Sequence, residues 1–207
     1  HQLIEQICET DDALLSQYLD GHEPSLPDLH SALRKATIVY KLVPIYCGSS
    51  LRNKGVQLLL DAVVNYLPSP LDIPPAKGKH PTTGQEDTRK PDASGPFSGL
   101  AFKIQADPHV GRLTYVRIYS GTLKAGSYVT NVTRREKERV GRILLMHAND
   151  REQIDEATAG EIVALVGLSK TKTGDTLTDE SHPIEFMGIE FTEPVISLAI
   201  EPKTQAD

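Results

Sequence analysis

The strongest constraint on this fold is a rhythm of short apolar runs broken by small turn residues, which occupies the chain from Phe97 onward. Its clearest stretch is Arg117 to Val129, RIYSGTLKAGSYV. Val116, Ile118 and Tyr119 lead into Ser120-Gly121, Leu123 follows, and Lys124-Ala125-Gly126 reverses the chain into Tyr128 and Val129. β-Branched and aromatic residues between such corners read as strand, turn, strand. Further runs stand at 100–104, 113–118, 127–133, 140–146, 161–166, 175–177 and 195–200. Strands this short and evenly spaced predict a small closed antiparallel β-barrel. A barrel is a scaffold, so function has to be sought in the residues it carries.

The first 68 residues follow another period. Leu3, Ile4, Ile7, Leu14, Leu15, Tyr18 and Leu19 fall mainly on one helical face, and Gly21 stands where a helix end favours positive φ. Ser25, with Asp28 three residues on, predicts the N-terminus of a second helix whose buried stripe is Leu29, Leu33 and Ala36. Ile38 to Tyr46 reads as a buried strand and Gly48-Ser49-Ser50 as a loop. A helix from about Gly55 then shows a wide apolar face until Pro68 stops it. Helix, helix, strand, loop, helix is the tail of an α/β layer, so partner strands are expected upstream of His1. Between Pro68 and Pro96 lie half of the 14 prolines, with charge and no apolar period, which predicts a solvated connector. The expected organisation is therefore residues 1–68, a linker at 69–96, a barrel at 97–199, and an exit segment at 200–207.

Charge and cysteine usage remove several classes. With 22 basic against 28 acidic residues the formal charge is -6, which argues against an indiscriminate nucleic-acid binder and against DNA as partner. Cys8 and Cys47 lack CxxC spacing and the 7 histidines show no zinc-ligand pairing, so neither a disulfide framework nor a metal site is expected. Both thiols are read as buried and reduced. No apolar run approaches the roughly 18 residues of a membrane span and no signal segment opens the chain, so a cytoplasmic location without membrane partner is expected.

The loop GSSLRNKG at 48–55 has the position of a phosphate loop but not its spacing. GxxxxGK[ST] needs glycine where Asn53 stands and a hydroxyl for Mg²⁺ where Gly55 stands. Asn53-Lys54 lacks the aspartate of a guanine-reading NKxD, since Val56 occupies its place, and Asp92 to Gly95 fits DxxG only within the proline-rich segment. His147 has no nucleophile motif near it, so no catalytic residue is assigned. Arg134, Arg135, Lys137, Arg139 and Arg142 set five cations in nine residues, offset by Glu136 and Glu138. Alternation along a strand would project Arg135, Lys137 and Arg139 together, toward phosphates or as a charged edge that prevents strand pairing.

GSSLRNKGVQLLLDAVVNYLPSPLDIPP, SGLAFKIQADPHVGRLTYVRIYSGTLKAGSYV, ERVGRILLMHANDREQIDEATAGEIVALVGL, TGDTL and EPVISLAIEPKTQAD together resemble bacterial-type translation elongation factor G over almost the whole chain. The resemblance implies an α/β remnant of a P-loop GTPase domain followed by an all-β translation-factor barrel, the family's second domain. Residues 200–207 would start the connection to a third. It implies a monomeric ribosome-binding GTPase that uses GTP or GDP with Mg²⁺ and drives tRNA and mRNA movement. Gly48, Ser49, Ser50 and Leu51 match the family's GSAF loop, whose backbone donors hold the guanine base; Ser replaces Ala and Leu replaces Phe here. Arg134, Arg135, Lys137, Arg139 and Arg142 are the candidate contacts to small-subunit ribosomal RNA. The phosphate loop, switch segments and NKxD are not in this sequence, so the stretch alone is expected neither to hold nucleotide nor to hydrolyse GTP. Alternatives are a ribosomal-protection or release-factor GTPase relative and a self-standing barrel adaptor for RNA or protein.

Overall fold

The computed structural model describes residues 1–108, 110–148, 150–188 and 196. The chain forms two units, His1–Pro74 and Pro75 onward.

The first unit is helical: α1 (Gln2–Cys8), α2 (Asp12–Leu19), α3 (Leu26–Ile38) and α4 (Val56–Tyr66). The expected first helix is broken in two, because the Asp11 carboxylate accepts from the backbone N–H groups of Ala13 and Leu14 and starts α2 afresh. Gly21 has φ +83, and His22 N–H donates to Gln17 O at 3.0 Å, a Schellman-type ending. Ser25 caps α3 as predicted. Ile7, Cys8, Leu29 and Ala32 form the small core, with Leu14, Leu15 and Leu42 against it. Arg34 donates to Asn65 O at 2.8 Å, satisfying a carbonyl at the end of α4.

The expected strand at 38–46 does not form: Ile38 closes α3, and the residues after it pair with no neighbour. Val43 and Ile45 are 74% and 88% exposed. A strand exists by its ladder, and no partner backbone lies within this unit to complete one. α4 likewise keeps Leu58, Leu60 and Val64 exposed. Of the two thiols expected to be buried, Cys8 is buried and Cys47 is exposed, because it lies in the unpaired stretch.

The second unit is all β. Its strands are β1 (Ala76–Lys79), β2 (Glu86–Arg89), β3 (Ser98–Asp107), β4 (Gly111–Ser120), β5 (Thr122–Lys124), β6 (Tyr128–Asn131) and β7 (Glu136–Arg139). There follow β8 (Arg142–His147), β9 (Asp150–Ile154), β10 (Glu156–Thr158), β11 (Ile162–Val166), β12 (Thr176–Thr178) and β13 (Glu185–Phe186). An antiparallel sheet runs β7-β6-β12-β3-β4-β11-β8-β9, β10 pairs with β5, and a small sheet runs β13-β1-β2. One core gathers Val129 from β6, Leu177 from β12, Val116 and Ile118 from β4, Ile143 from β8 and Leu165 from β11. Strands distant in sheet order share that interior only if the sheet curls round it, which is the predicted barrel. The run expected at 195–200 lies outside the described residues, apart from Ile196.

The segment predicted as a bare connector carries a hairpin. β1 pairs with β2 from Ala76–Arg89 to Lys79–Glu86, and β13 adds to its other edge. Gly78 makes that addition possible, since a Cβ there would stand 2.6 Å from Glu185 O. Polar strands with no apolar alternation gave no period to read; the partner strand lies about a hundred residues downstream.

Candidate functional site

In the first unit the chain between Cys47 and α4 closes on itself. Ser49 and Lys54 pair antiparallel, N to O at 2.9 and 3.0 Å, around the turn Ser50–Asn53. Asn53 and Gly55 have φ +50 and +76. Gly48 lies so near that a Cβ would meet Lys54 O at 2.8 Å, and one on Gly55 would meet Cys47 O at 3.0 Å. Both glycines are therefore required by close backbone approach. Of the four residues predicted to face guanine, Ser50 and Leu51 open this turn, and Gly48 and Ser49 lead into it. Ser49 N–H is consumed by Lys54 O, while the N–H groups of Ser50 and Leu51 bond to no described residue. Leu51 is 95% exposed, so its side chain contributes nothing to the shape of the turn. Two free donors suit a purine carbonyl oxygen. The described residues hold no cluster of three or more His, Cys, Asp or Glu able to take a metal ion.

In the second unit four of the five predicted cations lie on the β6–β7 hairpin, but not as one row, and the fifth lies on β8. Arg135 sits in the turn with φ +58, where the pleat alternation stops. Lys137 and Arg139 share the outer face of β7. Arg134 is engaged inward, its Nε 2.6 Å from the Asp175 carboxylate. Lys137 Nζ lies 2.5 Å from Glu180, whose carboxyl that bond holds below its ordinary range. Arg139 Nε donates to Gly126 O at 3.2 Å. Arg142 opens β8, exposed and without an ion pair among the described residues.

Beneath these cations lies a buried polar network that the charge run concealed. Glu138, 6% exposed, accepts from Lys170 N–H at 2.7 Å and from the Thr171 hydroxyl. Asp175, 3% exposed, accepts from Asn131 Nδ2 at 2.8 Å and Lys172 N–H at 2.8 Å as well as from Arg134. Asn131 also reaches the Thr171 hydroxyl at 3.1 Å. Arg112 donates to Ser169 O and Thr171 O, fixing the same loop from β4. These bonds fasten the loop 169–175 to the hairpin and bring Lys170, whose Nζ is 2.8 Å from Glu136, beside the predicted cations. Glu138 stood within the charge run, and Asp175, Lys170 and Lys172 lie over thirty residues from it, so no local pattern marked the network.

The barrel with its cationic hairpin is a translation-factor domain: residues 96–180 match the family described as elongation factor G domain 2. The similarity runs the full length of the chain. Elongation factor G of Aquifex pyrophilus is 58% identical over 206 residues, covering 100% of this chain and 29% of that protein. The chain thus belongs to the elongation factor G family and spans 29% of that relative's length. A solved structure from Thermus thermophilus matches with a TM-score of 0.69 at 28% identity, over 100% of this chain and 28% of that one.

Proposed function

We propose that this chain is the part of a cytoplasmic, monomeric ribosome-dependent GTPase that joins the nucleotide domain to the ribosome-binding barrel. Identity of 58% across the whole chain to an elongation factor G carries the reading. In it residues 1–68 are the C-terminal part of the GTPase domain, 97–199 the second domain, and 200–207 the start of the connection to a third. The hairpin at 76–89 belongs with the barrel unit, because β13 completes its sheet. Similarity gives the adaptor, ribosomal-protection and release-factor alternatives no support.

Within that protein the turn Gly48–Leu51 faces the guanine base of GTP or GDP. The free amides of Ser50 and Leu51 supply its donors, so the departures from the family's Ala and Phe leave the contact intact. The chemistry of phosphate and Mg²⁺ is supplied elsewhere in the protein, since Asn53 and Gly55 occupy the positions where a phosphate loop needs Gly and Ser or Thr. The exposed apolar surface of α4 is of the kind an α/β layer buries, which supports the assignment. The hairpin cations Arg135, Lys137, Arg139 and Arg142 contact small-subunit ribosomal RNA, with Arg134 acting through its bond to Asp175.

A chimera tests this directly. Replacing the matching stretch of the Aquifex pyrophilus factor with this chain should retain ribosome-stimulated GTP hydrolysis and movement of tRNA and mRNA. Leu51→Ala should leave GDP affinity within about twofold, while Gly48→Ala, which drives a Cβ to 2.8 Å from Lys54 O, should weaken it. A folded chimera that binds GDP but ignores ribosomes would refute the assignment.

A further inference from the structure

Among the described residues of the second unit, large apolar side chains are mostly buried, yet Tyr128 on β6 is 61% exposed. Its register partner is Arg139, and Thr130 pairs with Lys137, so the pleat puts Tyr128, Thr130, Lys137 and Arg139 on one outward face. Lys137 Nζ stands 5.9 Å from the centre of the Tyr128 ring. Its partner Glu180 is no obstacle to an incoming anion, because both side chains of that pair are more than half exposed, at 55% and 71%. Underneath, Val129 and Glu138 occupy the inward face, and Glu138 is bonded to the loop at Lys170 and Thr171. The platform is thus an exposed ring with Lys137 near its face and Arg139 opposite it in register, its Nε bonded to Gly126 O, on a backbone fixed from below.

A lone exposed tyrosine is an ordinary surface residue. What distinguishes this one is its setting in a chain of net charge -6, on the hairpin where cations concentrate. A ring flanked by positive charge fits a ligand that alternates flat faces with phosphates, which is single-stranded RNA or an unpaired loop of it. An acidic peptide would use the cations but has no planar group for the ring.

We propose that Tyr128 is an RNA-stacking residue: an unpaired base lies on its ring while Lys137 and Arg139 hold the flanking phosphates. The inference rests on the RNA-contact reading above and adds to it the class of element recognised, an unpaired nucleotide. It also separates a stacking contribution, indifferent to salt, from a phosphate contribution that salt screens.

The test is fluorescence titration of the 207-residue chain with purified small ribosomal subunits, a mixed-sequence RNA oligonucleotide and heparin, over a range of salt. Tyr128→Ala should weaken binding to both RNA probes by about 5- to 100-fold, leave the salt slope unchanged and leave heparin binding unaffected. Tyr128→Phe should bind like the unmodified chain. Lys137→Gln should reduce the salt slope by roughly 0.7–1 on every probe. Unchanged RNA affinity in Tyr128→Ala, with the unmodified chain binding normally, would overturn the stacking role alone, as would an equal loss on heparin. Failure of the unmodified chain to bind either RNA probe would overturn the RNA reading and this inference with it.

Discussion

Gly121 is where the barrel's sequence rhythm meets its tightest packing, and Gly121→Ala is expected to open the barrel. Its φ is +76, and a Cβ would stand 2.5 Å from both Cα and N of Phe97 and 2.7 Å from C of Pro96. A non-glycine residue in this backbone region costs about 1–2 kcal/mol. The contact with Phe97 is backbone against backbone, so no side chain can swing aside. The chain at Phe97 must retreat, which disturbs the bond from its N–H to Asp179 at 2.7 Å and the seat of a ring only 2% exposed. Full loss of a buried Phe side chain costs about 3–5 kcal/mol, so partial displacement plus the φ penalty gives roughly 3–5 kcal/mol in total. Gly84 provides the control, with φ +69 and nothing within 4 Å of its added Cβ, so Gly84→Ala carries only the φ penalty of about 1–2 kcal/mol. Because the chain has two units, a whole-molecule melt would mix their signals, and amide hydrogen exchange at Val116, Ile118 and Leu165 reads the barrel alone. Exchange there should accelerate roughly a hundred- to a few-thousand-fold in Gly121→Ala and at most about thirtyfold in Gly84→Ala. Equal effects of the two substitutions would refute the close-approach argument.

Two further outcomes follow from the structure. The Asp72 carboxyl is held below its ordinary 3.8 by hydrogen bonds from Ser69 and then by Arg34, so its stabilising contribution is complete above that value and fades as pH falls through the lower folded value. Asp72→Asn should therefore separate from the parent chain in acid unfolding of the first unit above pH 3.8 and converge with it in stronger acid; parallel curves would refute this. Thr114 is fully buried on β4 with a hydroxyl that has no hydrogen-bond partner among the described residues, so Thr114→Val should stabilise the barrel by about 1 kcal/mol in the same exchange assay. A destabilised variant would show that the hydroxyl is bonded.

Much of the barrel and part of each site could be read before any coordinates. The period of two in Val116 and Ile118, the Gly121 and Gly126 corners, and the Ser25 cap each act within a few residues, and the structure has them where the sequence put them. The family motif likewise marked Gly48–Leu51 as one loop, and the charge run marked Arg134 to Arg139 as neighbours on one hairpin. Local steric preference and capping are short-range physics, so a short stretch of sequence carries them.

Tertiary structure alone decided what depends on a distant partner. Ile38 to Tyr46 has strand chemistry and no strand, because a ladder needs a second backbone. Lys77 to Arg89 has little strand chemistry and forms a hairpin, completed by β13 through the bare backbone of Gly78. Glu138 lies in a charge run yet is buried, since the loop at Lys170 and Thr171 brings donors that offset its loss of water. Which cation is spent on the protein follows from the same cause: Asp175, forty-one residues away, claims Arg134, while Arg135 sits in the open turn.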